Sequence, residues 1–273
     1  MTDLTLLDRL ERCYDAIPRV GGAKVESVGP FELFLREGAG WPYYARPRLG
    51  ATDITPGDVQ AVLARQRALG VPEAIEWVLE MTPSLSGALA GSGLEVTLAP
   101  LMVLSSVPST VPAEGAVLLD PASKSFGDDY AHSTAVAQLA FGAAGTATGP
   151  VGPASREDIV KPVPPELLDH VAAGLRAGHK AEAVLVLPGD GIVARGALQS
   201  AEGAAEVVGV ATLPSARRRG YAAIVSALLA RTALERGNDV VFLSAASEDV
   251  ARVYGRIGFT RVATAGIAER PSR

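Results

Sequence analysis

The stretch that decides the fold runs Glu206-Val207-Val208-Gly209-Val210-Ala211-Thr212-Leu213-Pro214-Ser215-Ala216-Arg217-Arg218-Arg219-Gly220-Tyr221-Ala222. Glu206 to Leu213 reads as a strand, and Pro214 ends it. Ala222 to Arg236 reads as a helix, with Ile224, Val225, Leu228, Leu229 and Leu234 as its apolar positions. A strand, a basic tip and a helix therefore follow one another directly. The first amides of a helix are unsatisfied and the helix dipole is positive there, so such a tip can hold an anion. Gly220 lets the backbone come close to a bound oxygen. Arg217, Arg218 and Arg219 add charge-assisted hydrogen bonds, and a pyrophosphate is the natural ligand. A solvated basic loop is the plain alternative, and the flanking sequence has to decide.

Downstream, Val240 to Leu243 reads as a buried strand, Ser247 to Arg256 as a helix and Phe259 to Ala263 as a strand. Upstream, the strands Val184–Leu187 and Ile192–Leu198 flank the turn Pro188-Gly189-Asp190-Gly191. Ala116–Leu119 reads as a short strand, and Asp128–Phe141 and Pro164–Ala177 as helices. Gly142–Pro153 is Gly/Ala/Thr-rich and reads as a loop. The order from residue 116 onward is β-α-α-β-β-β-α-β-α-β. Strands before and after helices predict an α/β (mixed α+β) fold: a central mixed sheet flanked by helices.

The whole chain sets limits. Its 273 residues allow one large or two small domains, and 48% hydrophobic residues can fill a core. A net charge of −5 argues against general nucleic-acid binding, which needs Lys and Arg against phosphates. Cys13 is the only cysteine, so no internal disulfide can form. His132, His170 and His179 lack ligand spacing, so no metal is expected. The N-terminal segment is charged, unlike a signal peptide, and no apolar run has the ~20 residues of a membrane span. The expectation is a cytoplasmic protein without a membrane partner.

The two downstream patterns taken together resemble the GNAT acyltransferase family. Its CoA loop, Gln/Arg-x-x-Gly-x-Gly/Ala, is matched by Arg217-Arg218-Arg219-Gly220-Tyr221-Ala222. Its Asn-x-x-Ala-x-x-Leu-Tyr…Gly-Phe pattern is matched by Ser247-Glu248-Asp249-Val250-Ala251-Arg252-Val253-Tyr254…Gly258-Phe259. Ser247 replaces the frequent Asn and Val250 the frequent Ala. The resemblance covers roughly residues 180–265. It implies acetyl-CoA as co-substrate and direct acyl transfer to a primary amine, with a small molecule preferred to a protein as acceptor. It implies that backbone groups of Ala211, Thr212 and Leu213 hold the acyl carbonyl and pantetheine arm. The amides from Arg218 to Ala222 would hold the pyrophosphate, with Ser247 nearby. Tyr254 would protonate the leaving thiolate, a task suited to a phenol of pKa about 10. Glu206, eleven positions before Arg217, has the spacing of the catalytic glutamate in some members.

The N-terminal half carries a faint echo. Leu4, Leu7, Leu10 and Tyr14 mark a helix that Ile17-Pro18 and then Gly21-Gly22 end. Val25 to Leu35 reads as two strands broken at Gly29-Pro30, and Pro56 to Leu69 as a helix closed by Gly70. Ala74–Leu79 is a strand, Thr82 could cap a helix running to Leu89, and Leu94–Leu104 is a strand. At a shift of 165 positions, Val240–Leu243 falls on Ile75–Val78 and Gly258-Phe259 on Gly93-Leu94. Leu89 then stands opposite Tyr254, and Thr52-Asp53-Ile54-Thr55-Pro56-Gly57 stands opposite the arginine loop. The reading is a degenerate GNAT-like domain over 1–107, a linker over 108–115 and a catalytic GNAT domain over 116–273. Trp41, Tyr43, Tyr44, Glu76, Trp77 and Glu80 could hold a cationic amine; Trp41, Tyr44 and Glu76 are the acceptor-site candidates, with core packing as the alternative.

Two functions follow: an N-acetyltransferase, or a GNAT-like module that binds or senses acyl-CoA without turnover. A dinucleotide site is poorly supported, because Gly189-Asp190-Gly191 sits in a turn and opens no helix. The chain could be a monomer or a homodimer.

Overall fold

The computed structural model describes residues 4–38, 40–108, 114–143 and 145–271. These residues form two compact units. Of the described residues, the first takes in those up to Met102, Ser244–Glu248 and those from Arg261 onward; the second takes in those from Val103 to Leu243 and Asp249–Thr260. The middle of the expected linker, 109–113, lies outside the described residues.

The first unit begins with α1 (Leu4–Val20), β1 (Lys24–Val28), β2 (Phe31–Leu35) and β3 (Arg46–Pro47). It continues with α2 (Pro56–Leu69), β4 (Ala74–Val78), α3 (Ser84–Ala88) and β5 (Glu95–Leu104). Helix α1 carries Pro18 in its last turn and ends at Val20, directly before Gly21-Gly22. A proline in the last turn removes one hydrogen bond without breaking the long helix that precedes it. Strands β1, β2 and β3 form a small sheet, with β1 and β2 joined antiparallel from Lys24↔Leu35 to Val28↔Phe31. Phe31, Leu33, Val59, Leu63, Ile75 and Trp77 fill the core. Thr82 does not cap α3: Pro83 stands at that cap, and the Thr82 hydroxyl donates to the Ala51 carbonyl at 3.1 Å.

The second unit contains β6 (Ala116–Leu118), α4 (Phe126–Gly142), α5 (Pro153–Ile159), α6 (Pro165–Arg176), β7 (Lys180–Leu187) and β8 (Gly191–Ala201). Then come β9 (Ala204–Thr212), a 3-10 turn at Pro214–Ala216, α7 (Tyr221–Glu235), β10 (Val240–Ser244), α8 (Glu248–Gly255) and the first two residues of β11 (Phe259–Glu269). Helix α5 had no sequence signal: at seven residues it is too short to show a periodic face. The strand order is β10-β9-β8-β7-β6. Strands β9 and β10 are parallel while β6 to β9 are antiparallel, so the sheet is mixed as expected.

Its two faces carry different helices. An added Cβ at Gly196 of β8 would meet Val225 and Leu229 of α7, each at 3.0 Å. Arg195, on the opposite face, donates from Nε to Ser133 of α4 at 3.1 Å. Helices therefore flank the sheet on both sides.

Most of β11, from Arg261 onward, belongs to the first unit, where it lies between β4 and β5. Its register with β4 is antiparallel, from Ala265↔Val78 to Glu269↔Ala74. The local sequence pattern predicts this strand only as far as Ala263. At the shift of 165 positions, α7, β10, α8 and β11 fall on α2, β4, α3 and β5 to within about two residues.

Candidate functional site

Strands β9 and β10 pair at three positions only: Ala204↔Val240, Ala205↔Val241 and Glu206↔Phe242. Beyond Glu206, β9 continues to Thr212 and stays paired with β8 on its other side. The two parallel strands therefore part at their C-terminal ends, the place where α/β sheets bind ligands. Leu213 donates its N–H to the Val193 carbonyl at 2.9 Å, and its own carbonyl accepts from Ala216 at 2.8 Å. Both main-chain groups of Leu213 are thus engaged within the protein. Antiparallel alternation then turns the Thr212 N–H away from β8, towards the parted side. The Thr212 hydroxyl is buried and has no hydrogen-bond partner among the described residues.

The β9 strand leads through the 3-10 turn into α7. Gly220 precedes the helix with φ 80°, and no side chain caps it. The amides of Tyr221, Ala222 and Ala223 thus open the helix without a competing acceptor from a cap. The arginine loop divides its labour. Arg217 donates from Nη2 to the Ala140 carbonyl at 2.8 Å and from Nη1 to the Gly145 and Ala147 carbonyls at 3.0 and 3.1 Å. It caps the end of α4 and pins the loop after it. Arg218, at φ 64°, reaches the Thr146 carbonyl and hydroxyl at 3.1 and 3.3 Å. Arg219 is exposed beside the open helix end. The Gly/Ala/Thr-rich loop is thus stapled to the arginine loop, with Gly149 N–H also donating to the Pro214 carbonyl.

Tyr254 of α8 is buried and meets Phe259 edge-on, with ring centroids 6.0 Å apart. Burial pushes its phenol up to about 12, and the neighbouring Ser226 hydroxyl opposes the shift. Ser226, on α7, is fully buried, and its hydroxyl makes no hydrogen bond of ordinary geometry among the described residues. It was not singled out in the sequence, since a serine in an apolar helix carries no periodic signal. Glu206 is 8% exposed and sits at the last β9–β10 pair. It stands opposite Gln199 in the ladder, so it shares the α4 face with Gln199 and Arg195. A cleft of about 240 Å³ lies beside α4, lined by Gly127, Asp128, Pro162 and Leu168. Ser247 directly precedes α8 and is exposed.

Residues 192–266 match the family model described as FR47-like protein. A GCN5-related N-acetyltransferase from Kribbella flavida is similar over 94% of this chain and 96% of its own, at 22% identity and a TM-score of 0.62. The chain has the GNAT fold. A putative acetyltransferase from the GNAT family of Novosphingobium aromaticivorans DSM 12444 is similar over 91% of this chain and 92% of its own, at 20% identity and TM-score 0.52. A tandem GNAT protein from the clavulanic acid biosynthesis pathway covers 94% and is covered over 88%, at 14% identity and TM-score 0.53. None of the curated proteins matches the chain.

Within this GNAT fold, the first unit treats the equivalent helix end differently. Thr55 and Asp58 close the start of α2 with a capping box: the Thr55 hydroxyl accepts from Asp58 N–H, and the Asp58 carboxylate accepts from Thr55 N–H at 2.9 Å. The carboxyl of Asp58 is held below its usual value by the hydrogen bonds it accepts from the Thr55 hydroxyl, at 2.6 Å, and from the Thr55 N–H. The α2 start thus carries its own carboxylate, and its Asp58 N–H is already bonded to the Thr55 hydroxyl.

The acceptor-site candidates of the first unit divide as well. Trp41 is 76% exposed, whereas Trp77 is core. Tyr44 is half-buried, and its hydroxyl lies 3.4 Å from the Glu269 carboxylate; burial, then Glu269, raises its phenol. Glu76 is paired with Arg46 at 2.9 Å. Arg46 also contacts Glu11 at 3.3 Å and lies 4.1 Å over the Tyr14 ring. Glu76 is thus engaged in an ion-pair network with Arg46 and Glu11. Glu80 accepts from Thr264 N–H at 2.9 Å. Among the described residues no group of His, Cys, Asp and Glu is arranged to hold a metal, and no helix is long and apolar enough to cross a membrane.

Proposed function

We propose that the second unit transfers an acyl group, acetyl in the first instance, from CoA to a primary amine. The observation that carries this reading is the parting of β9 and β10 immediately beside the uncapped start of α7. The gap accepts an extended chain along the free edge of β9, and the helix end accepts a pyrophosphate. Thr212 N–H is directed to the acyl carbonyl, and the amides of Tyr221 to Ala223 with Arg219 take the phosphates. Arg217 shapes the loop. The thioester supplies the activated acyl group.

Tyr254 donates the proton that the departing sulfur needs. A phenol kept neutral by burial holds that proton at any working pH. Glu206, buried on the α4 face, takes the proton from the amine, which approaches from that side. The exposed Asp128 carboxylate in the α4 cleft attracts a cationic acceptor. The first unit binds no CoA, because Asp58 closes its helix end.

The test is a thermal melt with acetyl-CoA, followed by thiol release over a panel of small amines. Stabilisation is expected by ligand linkage, and turnover with at least one amine. Absence of any shift at millimolar acetyl-CoA defeats the reading. Stabilisation without release for any amine supports the non-catalytic acyl-CoA module instead.

A further inference from the structure

Arg195 stands in β8 among small and apolar neighbours, Val193, Ala194, Gly196 and Ala197. Each of its three nitrogens has a partner. Nε donates to the Ser133 hydroxyl of α4 at 3.1 Å, Nη1 to the Gly209 carbonyl at 3.1 Å, and Nη2 to the Glu182 carboxylate of β7. The side chains of Arg195 and Glu182 are each 12% exposed, and Ser133 is fully buried. Burial raises the Glu182 carboxyl, and the Arg195 charge opposes it. Burying an ion pair in a sheet seldom stabilises more than apolar residues of the same size would. The geometry shows what else this pair does.

The β8–β9 ladder changes register between Arg195 and Ala197: Ala197 faces Val208, while Arg195 faces Ala211. Gly209 and Val210 therefore oppose the single residue Gly196, which is a β-bulge. Gly209 adopts φ 60°, and a Cβ there would come within 2.7 Å of Arg195 Nη1. Its carbonyl is turned onto the Arg195 guanidinium. The bulge lies between Glu206 and Thr212, on the stretch that β10 has left. It advances the register by one residue and sets Leu213 against Val193, where its N–H is bonded. An even ladder would exchange the roles of Thr212 and its neighbours, and a different amide would face the gap.

We infer that Arg195, held by Glu182 and Ser133, is a positioning residue: it clamps the Gly209 bulge so that the amide of Thr212 meets the acyl carbonyl. Arg195 thereby governs recognition of the acyl group and leaves the pyrophosphate site untouched. This inference rests on the proposed CoA site.

The experiment compares free CoA and acetyl-CoA by calorimetry in wild type, Arg195→Lys, Arg195→Met and Glu182→Gln, with melts as the folding control. In Arg195→Met, affinity for acetyl-CoA should fall about tenfold, the worth of one such hydrogen bond, while affinity for CoA stays within about twofold. Arg195→Lys should recover part of the difference, because an ammonium still reaches the Gly209 carbonyl. Glu182→Gln keeps the guanidinium but loosens it, and serves if Arg195→Met does not fold; a smaller selective loss is expected. Equal losses for both ligands, or none for either, overturn the inference alone, provided wild type binds. Wild type that binds neither ligand overturns the proposed function and this inference with it.

Discussion

Arg217 donates from Nη2 to the carbonyl of Ala140 at 2.8 Å, across 77 positions of sequence. An arginine adjacent to the candidate phosphate site is thereby committed to the end of α4. Its neighbour Arg219 is exposed at the same helix end. The two should respond differently to mutation. Arg217→Ala should lower stability by about 2 kcal/mol, since it strips several main-chain carbonyls of a charged donor. Arg219→Ala should leave the melting temperature unchanged and weaken CoA about tenfold, less at high salt. Melts and calorimetry on both variants test the division; an Arg217→Ala protein of normal stability with weak CoA binding reverses it.

Tyr254→Phe should slow acyl transfer by about 10²-fold or more with little change in CoA affinity. The alkaline behaviour supplies a second readout. The folded phenol titrates at about 12, above the ordinary value near 10. Between these two values the unfolded chain has released its proton and the folded protein has not. Stability is therefore full below the lower value and is lost as pH rises towards the higher one. Tyr254→Phe should show less alkaline destabilisation than wild type in melts across that window. Identical curves would show the phenol to be unperturbed.

Thr55→Ala removes half of the capping box at α2. A loss of about 1 kcal/mol is expected, with the acetyl-CoA-induced stabilisation unchanged. A reduced ligand shift in this variant would mean that the first unit takes part in CoA binding.

Arg46→Met leaves Glu11 and Glu76 facing each other without their shared cation. The expected loss is about 3–5 kcal/mol. Adding Glu11→Gln should restore part of it, because the charge left behind causes most of the damage. Denaturant titration of the single and double variants measures the coupling, and additive losses would refute it.

Elements with a strong local pattern were legible in the sequence. Helix α2 lies at Pro56–Leu69 as read, because its apolar positions, its Thr55 cap and Gly70 all act within a few residues. The same holds for the hairpin at Pro188–Gly191 and for the strand–loop–helix around Gly220. The short α5 and the reach of β11 beyond Ala263 were not legible. Nothing local distinguishes them; β11 is extended by its pairing with β4, some 190 positions away. Ser226, Glu182 and Arg195 could have been suspected only as polar residues within apolar runs.

The sequence by itself determined that a basic loop and an open helix start stand between a strand and a helix. Gly220, the arginines and the strand before them are contiguous, and the dipole of a helix depends only on its own backbone. The tertiary structure decided which groups border that loop and which are engaged elsewhere. Arg217 is drawn to Ala140 and Arg195 to Gly209 by carbonyls far along the chain, and the gap exists because β9 and β10 part after Glu206 and Phe242. Those outcomes depend on long-range pairing and on where buried polar groups find partners, and no local pattern encodes either.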